Sequence, residues 1–367
     1  MDQLLYGIKA LSIYQVIMFL IGGGLIYLAI KKEYEPMLLL PIGFGAILAN
    51  IPYSSAISDG GFLDLLFKAG ILTELFPVLI FIAVGAMIDF TPLLQQPLML
   101  FFGAAAQFGI FFTMAMAVLF GFNLKEAASI GIIGAADGPT SIYVATRFAR
   151  HLLAPISVAA YSYMSLVPII QPPVIRLLTT PAERRIHMKP NFDIKISKTV
   201  LILFPIVVTV VAGVLAPISV ALVGSLMFGN LIRVSGVLDR LSKAAQNELA
   251  NLVTLLLGIT IGSTMTAEQF LNPATLLIIV MGLVAFIFDT AGGVIFAKVL
   301  NLFLKNKINP MIGAAGISAF PMSARVVQKM AQKEDASNFI LMQAVGANVA
   351  GQLGSIIAGG LILTLVK

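Results

Sequence analysis

The sequence has no cysteine, no tryptophan and only two histidines, His151 and His187. Without cysteine the chain can form no disulfide, thiol nucleophile or cysteine-based metal site, and two histidines are too few for a histidine-rich metal site. The P-loop string GxxxxGK followed by Ser or Thr is also missing, which argues against transport driven by ATP. Charge is scarce as well, because 11% of the 367 residues are charged, whereas a soluble domain carries about 25%.

Apolar residues are abundant instead. They make up 59% of the chain, and the mean hydropathy is +1.00. Apolar runs long enough to span a bilayer recur from end to end, so the sequence predicts an all-α polytopic membrane protein with about 10–11 membrane segments. The formal charge of +6 is typical of lysines and arginines in cytoplasmic loops, and no nucleic-acid partner is predicted. The predicted uninterrupted spans lie near 12–30, 37–52, 71–89, 97–120, 152–175, 199–215, 217–234, 247–263, 274–299 and 338–365.

Two further segments are apolar but interrupted. They cover residues 127–146 and 309–327, and both are rich in Gly, Ala, Ser and Pro. Because proline lacks an N–H and disfavours the helical region for the residue before it, these segments predict broken or re-entrant helices rather than plain spans.

A basic linker divides the chain near its middle. Residues 176–198 carry an excess of Arg and Lys, which predicts a cytoplasmic location between a first membrane half, 1–175, and a second, 199–367. The string GAA at 134–136 recurs at 313–315, an offset of 179. Interrupted segments at matching places in two halves are typical of transporters built from inverted repeats. The alternative is that small residues recur because they let helices pack closely.

Asp137 is the first candidate functional residue. It follows the apolar string AASIGIIGAA and precedes Gly138-Pro139. A lone charge at the centre of a spanning helix costs about 2.5–3.5 kcal/mol on insertion scales, so such a residue usually faces a polar cavity with a task there. A helix break leaves nearby carbonyls without hydrogen bonds, and a carboxylate next to such carbonyls predicts a cation site. The alternative is a structural carboxylate that pairs with Arg147 or another buried cation.

The second interrupted segment supplies further candidates, Asn309, Gly313, Ser318 and Arg325. Asparagine and serine oxygens are hard donors suited to Na⁺. The planar guanidinium of Arg325 matches a carboxylate, although an arginine that snorkels to the membrane edge is an equal alternative. Asn348 lies within the last span, where a buried amide can ligate an ion or bridge helices.

Two other residues within predicted spans carry polar groups. Tyr163 lies in YSYMSLVPII, and a buried phenol usually finds a hydrogen-bond partner. Asp289 is a second mid-span carboxylate, in FIFDTAGGVIF. Asp89 precedes a predicted helix end and is expected to face the interface.

At these residues the chain resembles the integral membrane β subunit of the sodium-pumping biotin-dependent decarboxylases, a family that includes the oxaloacetate, methylmalonyl-CoA and glutaconyl-CoA enzymes. The resemblance covers nearly the whole chain. Ala135 and Ala347 stand where family variants often have Gly and Pro, and neither change removes a ligand side chain. The most specific strings are GAAAQFGIF (103–111), KEAASIGIIGAADGPTS (125–141), DTAGGV (289–294), KINPMIGAAGISAFPMSARV (307–326) and GANVAG (346–351).

The resemblance implies a Na⁺-translocating decarboxylase subunit in a bacterial or archaeal plasma membrane. Decarboxylation of carboxybiotin here would consume a proton and drive Na⁺ outward. The implied cofactors are Na⁺ and a carboxybiotin carried on a partner subunit. The implied partners are a biotin-carrier subunit or domain, a soluble carboxyltransferase α subunit, a small membrane γ or δ subunit, and further copies of the membrane subunit. Recognition of the acid belongs to another chain, so this sequence does not reveal the acid.

The resemblance also assigns roles. It implies catalytic roles for Asp137, Tyr163, Ser318 and Arg325, with Arg325 holding the carboxylate of carboxybiotin. It implies a Na⁺ ligand set of Asp137, Asn309, Gly313, Ser318 and Asn348. The alternative function is a secondary transporter, either a Na⁺/H⁺ antiporter or a Na⁺-coupled carboxylate carrier, which would have nearly the same architecture. A membrane scaffold without transport would leave Asp137 and the interrupted segments unexplained.

Overall fold

A computed structural model describes residues 6–33, 36–188 and 194–366. Residues 189–193 of the predicted linker, and residues 1–5, 34–35 and 367 of the predicted halves, lie outside the described residues. Within those ranges the regular structure is entirely helical, with no β-strand. The principal helices are α1 (Ile13–Lys32), α2 (Pro36–Asn50), α3 (Phe62–Ile71), α4 (Leu75–Met87), α5 (Met99–Ala105), α6 (Phe108–Leu119), α7 (Leu124–Gly131), α8 (Gly138–Phe148), α9 (Leu153–Ser165), α10 (Val167–Leu178), α11 (Lys198–Leu215), α12 (Val220–Ser235), α13 (Asp239–Ser263), α14 (Pro273–Phe303), α15 (Met322–Glu334) and α16 (Leu341–Leu365).

The helices confirm an all-α polytopic membrane protein. Seven are long and apolar enough to cross a membrane, and the number rises to nine when each of two bent pairs counts as one span, within the described residues. The 15-residue α2 is apolar but shorter. Together they account for nine or ten of the predicted 10–11 segments.

Three predicted plain spans are interrupted. α3 and α4 meet at 63°, and α9 and α10 meet at 68°. The α3–α4 break includes Glu74 in the left-handed region at φ 63°, and α10 begins with a proline in its first turn, where the missing N–H does no harm. α5 and α6 are separated at Gln107, whose side-chain amide donates back to the Gly103 carbonyl at 2.9 Å. The prediction of uninterrupted helices at 71–89 and 152–175 was therefore wrong, whereas the span predicted at 97–120 is confirmed as one membrane-length span, Met99–Leu119, with a turn at Gln107.

α14 and α16 occupy the centre of the helix assembly. In the most apolar window of α16, 72% of the residues are buried, compared with 6% in α11. α14 packs against α5, α6, α9 and α10, and α16 packs against α5, α8 and α15. The interrupted segments reach these two helices, and their polar side chains Asp137, Asn309 and Ser318 are buried in the protein interior.

Helix contacts occur in matching pairs across the two predicted halves. α1 packs on α2 as α11 packs on α12, and α2 packs on α13 as α4 packs on α12. Asn50 of α2 donates to the Met265 carbonyl just beyond α13 at 2.7 Å, and Asn230 of α12 donates to the Ile88 carbonyl just beyond α4 at 2.9 Å. A twofold relation between the halves would produce these pairs. The inverted repeat and the boundaries of the halves stay predictions.

The described part of the linker is tied to the second half. Arg184 pairs with Glu334 at 2.7 Å, and His187 contacts Asp335 at 2.8 Å. Lys298 of α14 donates to the carbonyl of Leu178 at 2.9 Å. The linker is therefore anchored to α14 and to the end of α15.

Candidate functional site

The first interrupted segment changes direction immediately before Asp137. α7 runs into a single 3₁₀ turn, Ile132–Ala135, and Ala136 adopts the left-handed region at φ 53°. Asp137 is extended and caps the N-terminus of α8, with Pro139 in the first turn. An aspartate is a favoured N-cap because its side chain accepts from free amides of the first turn. The break therefore exposes helix-end polar groups within the core.

The Asp137 carboxylate has a complete shell of donors. It is 3% exposed and accepts from the Thr140 amide at 3.3 Å and the Thr140 hydroxyl at 2.8 Å. The Gln352 amide at 3.0 Å and the Ser355 hydroxyl at 2.9 Å donate from α16. Arg147 instead pairs with Glu74 at 2.8 Å. The structure thus contradicts the alternative in which Asp137 pairs with Arg147.

Sequence reasoning missed Thr140, Gln352 and Ser355. Gln352 and Ser355 follow Asn348 at four and seven residues, which places all three on one face of α16. That spacing of polar side chains in an otherwise small and apolar helix was the available signal. Thr140 could have been found from the N-cap pattern, since a capping side chain reaches the residue three positions later.

Ser318 and Asn348 lie next to this shell. Ser318 donates its backbone amide to the Ala135 carbonyl at 3.1 Å and its hydroxyl to the Gly351 carbonyl at 2.8 Å. Asn348 donates to the Ile317 carbonyl at 2.6 Å, while its Oδ1 is buried without a hydrogen-bond partner. The two interrupted segments therefore meet each other and α16 beside Asp137.

Two tyrosines of α9 approach the first interrupted segment. The Tyr163 hydroxyl donates to the Ile279 carbonyl of α14. The Tyr161 ring lies against Gly138, where a Cβ would fall 2.3 Å from its Cζ atom, and its hydroxyl is buried without a partner. Tyr161, which the sequence analysis did not select, is thus the phenol that contacts the residue after Asp137.

Asn309 and Gly313 have contacts of a different kind. Asn309 is fully buried and donates to the carbonyls of Arg184 at 2.8 Å and Ile186 at 3.0 Å. A Cβ on Gly313 would lie 1.9 Å from the Gly293 carbonyl oxygen of α14. The structure brings Asn309 to the linker and Gly313 to α14, and places neither among the contacts of Asp137. Their roles as Na⁺ ligands stay predictions.

Arg325 lies on α15 with an exposed side chain. α15 begins at Met322, within the second interrupted segment, and its buried face includes Ser323. The Ser323 hydroxyl accepts a hydrogen bond from the Gln171 amide at 3.1 Å and donates one to the Ala314 carbonyl at 3.0 Å. Arg325 is therefore accessible from outside the chain while its helix is anchored to the interior.

The chemistry of the Asp137 shell suits a small monovalent cation. One carboxylate, two hydroxyls and one amide surround a single position, and hydroxyl and amide oxygens can turn to accept or ligate. Within the described ranges, no three His, Asp or Glu side chains lie together. A divalent hard cation usually draws on more carboxylate charge, so the set fits Na⁺ better than Ca²⁺ or Mg²⁺.

A cavity of about 1170 Å³ lies elsewhere, and its lining, which includes Asn50 and Glu268, contains neither Asp137 nor the donors of its shell. Asp137 itself is enclosed in this conformation, since it is 3% exposed.

Comparison with known proteins gives full-length similarity. A family model described as the Na⁺-transporting oxaloacetate decarboxylase beta subunit matches residues 14–366. The chain is 51% identical over 360 residues to the glutaconyl-CoA decarboxylase subunit beta of Acidaminococcus fermentans, covering 98% of this chain and 95% of that one. It is 51% identical over 361 residues to the methylmalonyl-CoA decarboxylase subunit beta of Veillonella parvula, with the same coverage. It is 43% identical to the oxaloacetate decarboxylase beta chain of Klebsiella pneumoniae, covering 98% and 97%.

Proposed function

Because the chain belongs to the family of Na⁺-transporting decarboxylase beta subunits, we propose that it decarboxylates a carboxybiotin carried by a partner and uses that reaction to export Na⁺. A multi-pass membrane protein of this family is a translocase driven by decarboxylation, and a plain secondary transporter is not favoured. The relatives are named for three different acids, so the acid is set outside this chain.

The observation that carries the proposal is the enclosed carboxylate of Asp137. Its oxygens are met by Thr140, Gln352 and Ser355, and we assign these side chains to the Na⁺ site. When Na⁺ enters, the hydroxyl oxygens and the amide oxygen of Gln352 turn toward the ion, which replaces the donated hydrogen bonds. Ser318 and Oδ1 of Asn348, which has no hydrogen-bond partner, lie next to these side chains, and we add them to the proposed Na⁺ ligands.

The reaction supplies the free energy for the export of Na⁺. The N–C bond of carboxybiotin breaks, CO2 leaves, and the ureido nitrogen takes up a proton. Moving one Na⁺ outward against 100 mV costs about 2.3 kcal/mol. Coupling requires that the Asp137 site open to one side of the membrane at a time. The two interrupted segments touch each other through the hydrogen bond from the Ser318 amide to the Ala135 carbonyl, and we propose that this contact controls the opening.

Recognition of the visiting group is proposed for the exposed side of α15. Arg325 would hold the carboxylate of carboxybiotin through paired hydrogen bonds. A hydroxyl near Asp137 would pass the proton, and Tyr161, Tyr163 and Ser318 are the candidates. The remaining partners proposed for the complex are a biotin carrier, a carboxyltransferase α subunit, a small γ or δ membrane subunit, and further copies of this chain.

The direct test is ²²Na⁺ uptake into vesicles that contain the assembled complex, with and without a carboxylated biotin donor. We expect uptake only with the donor, together with CO2 release that responds to Na⁺ and not to K⁺. Equal ²²Na⁺ exchange without the donor, or CO2 release indifferent to the cation, would contradict the proposal.

A second experiment separates recognition from transport. Arg325→Ala should raise the donor concentration needed for half-maximal CO2 release by about tenfold, since a hydrogen-bonded charge pair contributes about 1.5–3 kcal/mol. Lys329→Ala, which removes an exposed cation one turn further along α15, is the matched control and should change it little. Equal effects of the two substitutions would point to general surface charge rather than to a specific site.

A further inference from the structure

A second carboxyl group is buried in the core without a hydrogen bond of ordinary geometry. Asp289 lies in the middle of α14 and is 0% exposed. Neither of its carboxyl oxygens makes a hydrogen bond, and neither does the hydroxyl of the adjacent Thr290. The proposed transport mechanism assigns it no role.

The surroundings of Asp289 are tightly packed, and two backbone N–H groups of a neighbouring helix face its carboxyl group. A Cβ on Gly109 would lie 2.4 Å from Oδ1, and a Cβ on Gly134 would lie 2.6 Å from Oδ2 and 3.0 Å from the Ala285 methyl. The amides of Gly109 and Ile110, in the first turn of α6, face the carboxyl group, but neither forms a hydrogen bond of ordinary geometry with it. The Ile110 amide is already used by the Gln107 carbonyl at 3.2 Å.

An ionised carboxylate is costly in such a place unless a cation or several donors compensate it. The nearest polar groups are amides, which repel a cation, and glycines fill the remaining space. A proton needs no further ligands. We propose that Asp289 is a proton-binding carboxyl of the core, distinct from the cation site at Asp137, and that it releases its proton when Na⁺ occupies Asp137.

The linkage follows from the chain between the two carboxyl groups. Gly134 contacts Asp289, and Asp137 follows three residues later, so Gly134 and Asp137 are at most about 10 Å apart between Cα atoms. Two negative charges in a low-dielectric interior disfavour each other even when a few residues separate them. Na⁺ on Asp137 cancels one of them, which makes ionisation of Asp289 easier. The role of this proton in the transport cycle rests on the proposed function.

Few other titratable groups face this part of α14. Tyr163 and Tyr161 approach from α9, and Asp137 lies beyond the 3₁₀ turn. α5, α6 and the short helix Met311–Ala314 contain no ionisable side chain. The ionisable side chains of α7 lie in its first turn. On the remaining neighbours, Arg176 lies in the last turn of α10, and Glu268 lies in the short helix before α14.

A competing explanation is purely structural. A permanently ionised Asp289 could act as a distant cap for the first turn of α6, through the positive end of the helix. The two explanations differ in the protonation state at neutral pH, which infrared spectroscopy reads directly from the carbonyl stretch of a protonated carboxyl group.

The test is infrared difference spectroscopy of the purified wild-type protein and of Asp289→Asn, in K⁺ and then in Na⁺. We expect a protonated-carboxyl band in K⁺ that is absent in Asp289→Asn, already diminished in Asp137→Asn, which lacks the second negative charge, and unchanged in Asp89→Asn, a control at the exposed end of α4. We expect Na⁺ to diminish the band in the wild type and not in Asp137→Asn. A band that survives Asp289→Asn, or the lack of any such band in the wild type, would overturn the proton site.

Two further measurements keep the proposal testable. If Asp289→Asn does not fold, Gly134→Ala should shift the frequency of the band, because the new Cβ presses on Oδ2, whereas Gly24→Ala, with nothing within 4 Å of its Cβ, should not. A band insensitive to Na⁺ would overturn the linkage to Asp137. No decarboxylation is needed for these readings, so they stand apart from the ²²Na⁺ test, whose failure would remove the proposed transport function and leave the Asp289 band to be judged alone.

Discussion

Asp137 and Asp289 are both buried aspartates beside the same 3₁₀ turn, yet their environments are opposite. Asp137 accepts hydrogen bonds from Thr140, Gln352 and Ser355, whereas both oxygens of Asp289 are without a partner. The difference comes from the backbone. Asp137 stands at a helix break, where amides and hydroxyls are free, and Asp289 lies inside a continuous helix whose amides are already bonded.

The comparison teaches that burial alone does not define a site in this fold. In the proposed mechanism, the polar side chains around Asp137 exchange donated hydrogen bonds for coordination when a cation binds. The close contacts of Gly109 and Gly134 around Asp289 leave room for a proton and little else. One interrupted segment thus separates the proposed Na⁺ site from the proposed proton site.

The largest expected effect is that of Asp137→Asn. Breaking a buried charge interaction by removal of one partner costs about 3–5 kcal/mol, so Na⁺ should stimulate CO2 release only at concentrations at least about 100-fold higher than in the wild type. The measurement is CO2 release from carboxybiotin against Na⁺ concentration in the reconstituted complex. Asp89→Asn, at a half-exposed carboxylate, is the control. Unchanged Na⁺ dependence would remove Asp137 from the mechanism.

A smaller effect on stability is expected when the hydroxyl beside Asp137 is removed, and no loss is expected when the hydroxyl beside Asp289 is removed. Ser355→Ala removes a hydroxyl that donates to Asp137 at 2.9 Å, and a hydrogen bond to a charged group contributes about 1.5–3 kcal/mol. Thr290→Val removes a hydroxyl that has no partner, so stability should stay the same or rise slightly. Thermal unfolding midpoints in detergent measure both, and ²²Na⁺ binding should weaken only in Ser355→Ala. A larger loss of stability in Thr290→Val would show that its hydroxyl has a partner after all.

The two tyrosines of α9 provide a third pair. Tyr163→Phe deletes a hydrogen bond to the Ile279 carbonyl, which should cost about 1 kcal/mol of stability. Tyr161→Phe deletes a hydroxyl without a partner and should leave stability unchanged. If the proton relay uses the phenol beside Asp137, Tyr161→Phe should slow CO2 release more than Tyr163→Phe. The reverse order, measured at saturating Na⁺, would return the relay to Tyr163.

The sequence identified both carboxyl groups but not the difference between their environments. In the string GAADGP, the proline and the glycines alone predict a helix break. The break in turn predicts polar groups without helical hydrogen bonds at Asp137. The donors from α16 lie more than 200 residues away in sequence, and their identity depends on how the last helix packs. The interruption at Gln107 has no proline and no charge, so its local sequence reads as an ordinary apolar span.

The same limit applies to the second interrupted segment. Its composition predicted an irregular backbone with polar residues, which the structure has between Met311–Ala314 and α15. Composition could not reveal that Asn309 binds linker carbonyls while Ser318 reaches Gly351. The two residues are nine positions apart, and the direction of each side chain is set by contacts with other elements.

Asp335, an aspartate at the protein surface, should show the smallest effect of substitution. It serves as the reference for Asp137 and Asp289. Hydrogen bonds from Ser337 and His187 lower the pKa of Asp335 to about 2. A lowered pKa means that the contact stabilises the folded state above the ordinary pKa of an aspartate and that this contribution is lost as pH falls through about 2. The difference in thermal midpoint between the wild type and Asp335→Asn should therefore be small and constant from neutral to mildly acidic pH and vanish at the acid end.

Solvent accounts for the small size of that effect, because water screens an exposed pair and solvates the carboxylate when its partners leave. Asp335 is thus compensated by water, Asp137 by protein donors and Asp289 by a proton. A difference that grew as the pH fell from neutral would mean that Asp335→Asn also disturbs another contact, such as the linker contact at His187, and a His187→Gln variant measured over the same pH range would identify it.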